Sequence, residues 1–146
     1  MKNLNHVPSI GHPFCWILLL SAIFLVGATS EPELNPPVGY KKLKGDFAKA
    51  FVSKAKSYGG RIKRDDFPSF ECQWAYKADK DGFQILLPTN EAERLKLFFR
   101  QAFGEPTVSK IYPHLVYKIK DAGIAIMCDL EANPIHIICL RAQALP

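Results

Sequence analysis

The chain has no His-Glu-x-x-His zinc helix, no Gly-x-Ser-x-Gly elbow, no Gly-x-x-x-x-Gly-Lys phosphate loop and no Cys-x-x-Cys pair. These absences remove the local signatures of zinc peptidases, serine hydrolases, phosphate-cradling loops and structural zinc sites. An enzyme here would have to assemble its groups from distant parts of the chain. Four cysteines in 146 residues are too few for a disulfide-dense scaffold. No apolar run reaches the roughly 20 residues that a membrane-spanning helix needs. Neither sign of charge dominates: 19 basic residues against 14 acidic ones give +5, and the lysines are spread along the chain. The strands lack the interleaved basic and aromatic pattern of a nucleic-acid surface, so no nucleic-acid partner is expected. No cofactor is expected either.

Residues 1–30 carry the longest apolar run, Phe14 to Val26, followed at once by the small residues Gly27, Ala28, Thr29 and Ser30. Its length fits an export signal, with an N-terminal membrane anchor as the alternative if residues 14–28 stay uncleaved. The expected location is secreted or periplasmic; with the anchor retained, the domain would still lie outside the cytoplasm. Cleavage after residue 30 removes only Lys2 among the charged residues and leaves +4. Residues 31–39, with three prolines, read as an extended tether. Residues 40–146 are long enough for one domain with its own core and too short for two.

From Tyr40 to Tyr58, Leu43, Phe47, Phe51, Ala55 and Tyr58 recur every three or four positions, which predicts an amphipathic helix ended by Gly59 and Gly60. Its outer surface is rich in lysine. Phe70 to Lys77 alternates, with Phe70, Cys72, Trp74 and Tyr76 on one face. Asp79 to Gly82 reads as a turn and Phe83 to Leu87 as the returning strand, in a register that sets Tyr76 opposite Ile85 and Trp74 opposite Leu87. A second helix is expected from Glu91 to Phe103, opened by an Asn90/Glu93 capping box and closed by Gly104. Ala92, Leu95, Phe98, Phe99, Ala102 and Phe103 form its buried side.

Residues 75–85 align without a gap on 116–126, matching Tyr76 to Tyr117, Lys77 to Lys118, Gly82 to Gly123 and Ile85 to Ile126. The expected fold class is therefore α+β: two α-β-β units, plus a strand from Pro134 to Leu140. Together they form a mainly antiparallel five-stranded sheet with two helices on one face.

Export would leave Cys72, Cys128 and Cys139, an odd number. A four-residue connection in the last hairpin would set Cys128 opposite Ile135 and leave Cys139 about 13 Å away, beyond disulfide reach. The same register brings His114 opposite Asp129 with His136 diagonal to it. That trio is the one weak metal or acid-base candidate. A partner surface is expected from the lysine-rich helix, through Lys42, Lys49 and Lys56, and from the outer sheet face, through Lys118, Met127, Ile138 and Leu140.

The function expected from these features is an exported protein-binding module, such as an inhibitor, an immunity-like protein or an accessory envelope protein, with an acidic protein among the candidate partners. The alternative is a small metal-dependent or acid-base hydrolase of the cell envelope.

Overall fold

Asp46 decides where the first helix starts. Its side-chain Oδ1 accepts the backbone N–H of Lys49, as an N-cap residue does, and also that of Phe70, both at 3.3 Å. The preceding Gly45 sits at φ +139°, a region that side chains rarely enter and that cannot belong to a helix. In the computed structural model, which describes residues 32–108, 117–119 and 121–144, Lys41–Asp46 is accordingly a strand, β1, and helix α1 spans only Phe47–Ser57. This corrects the expected helix from Tyr40. Leu43, expected in the apolar stripe of that helix, is instead 41 % exposed on an edge strand.

The remaining elements follow the sequence pattern more closely. β2 covers Glu71–Ala78 and β3 Gly82–Leu87, with Tyr76 opposite Ile85 and Ala78 opposite Phe83 as the alternation predicts. A short 3-10 turn, Thr89–Glu91, leads into α2, Ala92–Phe103. No side chain caps α2, so the expected capping box does not form. Instead Glu91 pairs with Arg94 at 2.9 Å and Glu93 with Lys96 at 2.6 Å, each three residues apart. The described part of β4 is Tyr117–Lys118; β5 is Ile124–Asp129 and β6 is Ile135–Arg141.

The sheet has six strands, not five, in the order β1-β2-β3-β6-β5-β4, and every adjacent pair is antiparallel. Strand β6 thus lies between the two hairpins. Because β3 and β5 are both antiparallel to β6, the hairpins β2-β3 and β4-β5 run the same way. They are nevertheless laid out in opposite left-to-right order. No rotation superposes one hairpin on the other while keeping the core face, and Tyr117 pairs with Cys128 rather than with Ile126 as the match to Tyr76 and Ile85 implies, so residues 75–85 and 116–126 are not a structural repeat. The topology is better described by a two-fold axis normal to the sheet between β3 and β6, which relates the meander β1-β2-β3 to β4-β5-β6.

Both helices cover the same face. Phe47 and Phe51 of α1 and Leu95, Phe98, Phe99 and Phe103 of α2 share one buried cluster with Trp74, Phe83, Ile85, Ile126 and Ile137. Its centre is aromatic: Phe51 lies 5.1 Å from Phe99 and 5.4 Å from Phe83, and Phe47 lies 5.7 Å from Trp74, ring centre to ring centre. Each fully buried ring of this size contributes about 1.5 to 3 kcal/mol from burial alone. Among the described residues no helix is long and apolar enough to cross a membrane. The apolar run Phe14 to Val26 lies outside them.

The β5-β6 register differs from the expected one by two residues. Cys128 faces Ile137 rather than Ile135, and Asp129 faces His136 rather than Pro134. The cause is the connection: Asp129 Oδ1 accepts the backbone N–H groups of Glu131 and Ala132, both at 3.1 Å, which curls the chain before the cis Asn133–Pro134 bond and lengthens the loop. Cys139, opposite Ile126, is therefore a diagonal neighbour of Cys128 on the core face and not about 13 Å away. Diagonal positions are about 7 to 8 Å apart, still too far for a disulfide, and both are free thiols.

Candidate functional site

With both helices on one face, side chains of the opposite sheet face are ordered by the strand register into transverse rows. One row runs Lys42, Ala75, Leu86, His136, Asp129 from β1 to β5. The next runs Lys77, Gln84, Ile138, Met127, Lys118 from β2 to β4. A third holds Gly82, Leu140 and Ala125. Across five strands at the usual spacing, the two lysines of the second row have backbones about 19 Å apart, and Thr107 bridges Lys118 on its outer side.

The residues before β1 cover one half of this face. Leu34 is 4 % exposed and forms a small second cluster with Ala75 and Leu86, against which Tyr40 packs. Glu33 lies 3.6 Å from Lys42, and the Tyr40 hydroxyl donates to Gln84 Oε1 at 2.8 Å. The stretch expected to be a tether is, from residue 32 onward, a strap seated on the sheet. Its proline-rich composition concealed this because a single leucine makes the apolar contact.

The other half carries Met127, Ile138 and Leu140, all half-buried and belonging to neither buried cluster. Met127 pairs directly with Ile138, and Leu140 with Ala125, so the patch is continuous across β5 and β6. Four of the seven expected partner residues, Lys118, Met127, Ile138 and Leu140, are brought together here. Lys42 is on the same face at its far edge, beside Glu33. Lys49 and Lys56 lie on α1, behind the sheet, and Lys56 is paired with Asp65 at 2.7 Å. One flat partner surface cannot touch both groups.

Of the metal candidates, His114 lies outside the described residues. Asp129 and His136 stand directly opposite one another, closer than the diagonal relation expected, but their hydrogen bonds lead elsewhere. The Asp129 carboxylate holds the loop amides, and His136 Nε2 lies 3.1 Å from Gln84 Oε1. Since that oxygen only accepts, Nε2 carries the proton. Burial pushes the His136 pKa below the usual histidine range, and the nearby Asp129 charge opposes this less strongly. Among the described residues no three His, Cys, Asp or Glu side chains are grouped to hold a metal, and no polar or charged residue is fully buried. Cys128 and Cys139 lie in the core, and burial lifts both thiols to about 12. They are uncharged near neutral pH and have no nucleophilic character.

Sequence reading missed the Tyr40–Gln84–His136 chain of hydrogen bonds. Only the strand register, with Gln84 one row from His136, contained that signal. It also missed a cleft of about 630 Å³ at the carboxyl end of α1, lined by Lys56, Arg61 and Arg141. These cations are engaged locally: Arg61 donates to the Asp121 carbonyl at 2.8 Å, and the Arg141 guanidinium lies 5.2 Å from the Tyr58 ring centre. Cations at a helix carboxyl end are favoured by the helix field without any ligand. Comparison of the chain with protein-family models, with curated proteins and with solved structures finds no match.

Proposed function

We propose that this chain is an exported binding module that acts through protein contact, as an inhibitor, an immunity-like protein or an accessory envelope protein does, and that its contact surface is the helix-free sheet face around Ile138. The observation carrying this reading is the continuous Met127, Ile138 and Leu140 patch at the middle of a sheet whose other face carries both helices. An antiparallel sheet leaves a face to water most easily when that face is polar, and here Met127, Ile138 and Leu140 are only half-covered by the described chain. The two lysines of the Ile138 row suit a partner with acidic groups at the rim of its contact.

The test is site-specific photo-crosslinking in the cells that export the protein. A photoreactive residue at Ile138 is expected to give a discrete crosslinked protein that is absent when the probe replaces Ser53 on exposed α1. Absence of any discrete product at Ile138, Met127 and Leu140 alike overturns the proposal. Mass spectrometry of the mature amino terminus tests the export reading separately.

A further inference from the structure

Resting on that reading, we infer that the open half of the sheet face takes an extended partner segment carrying an aliphatic side chain beside a carboxylate, the same chemistry with which the chain's own strap covers the neighbouring half. The strap supplies the precedent. Glu33 and Leu34 are consecutive; the leucine is buried on Ala75 and Leu86, and the glutamate stands 3.6 Å from Lys42 at the end of that row. This surface is therefore recognised by a short segment without a helix or strand of its own, and prolines at 32, 36 and 37 keep it extended.

The neighbouring row repeats the arrangement. By the two-fold relation between the meanders, Met127 and Ile138 stand in the second row where Ala75 and Leu86 stand in the first, and Lys118 flanks Met127 as Lys42 flanks Ala75. No acidic residue occurs in this row. Lys118 has no carboxylate among its ion pairs in the described residues, whereas Lys42 has Glu33. The unmatched Lys118 charge argues for an acidic occupant and against a second copy of the chain stacked through this face. Such a copy would bring Lys77 and Lys118 toward the same residues of its mate.

Edge pairing is a poor alternative on the β1 side. That strand exposes Lys41, Lys42 and Lys44, the charged edge by which sheets discourage strand addition. The face, rather than this edge, is where an extended segment finds both an apolar seat and a counter-charge.

The probe is a capped synthetic peptide of the chain's own residues 32–38, compared with a version bearing Glu33→Lys, each titrated into isotope-labelled full chain at low salt. The expected result is saturable shifts of the Met127, Ile138 and Leu140 methyl signals. The Glu33→Lys peptide should bind about five-fold more weakly, the size of effect one exposed ion pair gives. The Lys118→Glu chain, altered only at a half-buried residue set between Met127 and Thr107, should reverse that preference while its spectrum stays that of a folded protein. Equal binding of both peptides, shifts confined to Leu34, Ala75 and Leu86, or no saturation at millimolar peptide each overturns the inference. A dimer formed by exchange of the strap between copies, seen as concentration-dependent sedimentation, overturns it too. A crosslinked partner at Ile138 together with a failed titration would sink this inference alone, whereas loss of the crosslink would sink the binding reading itself.

Discussion

Asp129 and His136 face one another across β5 and β6, yet the carboxylate is tied to the backbone of Glu131 and Ala132 and the imidazole to Gln84. A general acid-base pair needs its two groups to converge on a third atom, and a metal site needs their lone pairs directed at one point. Here the carboxylate shapes a loop. The imidazole joins the strap to β3 and β6 through the oxygen it shares with Tyr40. The hydrogen bonds of the pair serve the loop and the strap on the helix-free sheet face rather than a common reacting atom. The hydrolase alternative predicts bound metal after mild purification, released by His136→Ala; metal-free protein of unchanged fold is the outcome expected here.

The same geometry gives a pH dependence. Burial lowers the folded-state pKa of His136, so between that value and the unfolded value near 6.5 the unfolded chain holds more protons than the folded one. Stability is therefore unaffected by this group above about pH 7 and falls as the pH drops through the window below 6.5. The groups facing His136 are Tyr40 through Gln84, and Asp129. Tyr40, whose pKa burial raises further, does not titrate in this range. Urea denaturation of wild type and His136→Gln at pH 7 and pH 5 checks this. The variant is expected to lose less stability on acidification, and parallel losses would show that His136 is not the group responsible.

The core makes a sharper quantitative claim. Phe99 is fully buried and meets Phe51 at 5.1 Å, Phe98 at 5.6 Å and Tyr117 at 6.1 Å between ring centres. Its replacement by alanine leaves a cavity that rigid strands on one side and α1 on the other cannot close, so a loss of about 3 to 5 kcal/mol is expected. Leu43→Ala on the exposed edge should stay within about 0.5 kcal/mol. Chemical denaturation of the two variants side by side tests both the burial of α2 and the corrected position of Leu43.

What the residues disclosed and concealed follows from how much of each element is set locally. The β2-β3 hairpin was legible because aromatic alternation and a four-residue polar turn fix register without help from elsewhere. Helix α2 was legible because its apolar stripe spans three turns and stops at Gly104. Strand β1 was not, because Leu43 falls by chance in helical phase with Phe47 and the lysines around it carry no strand preference; only backbone pairing with β2 makes it a strand. Gly45 beside Asp46 was the available signal, a poor helix residue next to a good N-cap. The β5-β6 register was misjudged because the turn made by the Asp129 side chain adds residues to the loop. That shift moved His136 opposite Asp129 and brought Cys128 and Cys139 into diagonal proximity. Of the candidate surface, Met127, Ile138 and Leu140 were legible from strand parity alone, while the strap that covers the other half depends on one leucine among prolines.

The cysteines supply a test that separates buried thiols from a redox function. Cys128 and Cys139 are fully buried among Ile126, Ile137 and Tyr117, and their pKa values are pushed to about 12, chiefly by the loss of water around the thiolate. For Cys128 the Asp129 charge adds to the effect. Alkylation requires the thiolate, so at pH 8 both residues should react with iodoacetamide far more slowly than an ordinary exposed cysteine with a pKa near 8.5. Two separate obstacles act, burial against reagent access and burial against ionisation, and unfolding removes both at once. Mass spectrometry of peptides after timed labelling should show Cys128 and Cys139 unmodified in buffer and fully modified in denaturant. Rapid labelling of either one in the native chain would mean that the sheet opens at β5 and β6, the strands that bear the proposed contact surface.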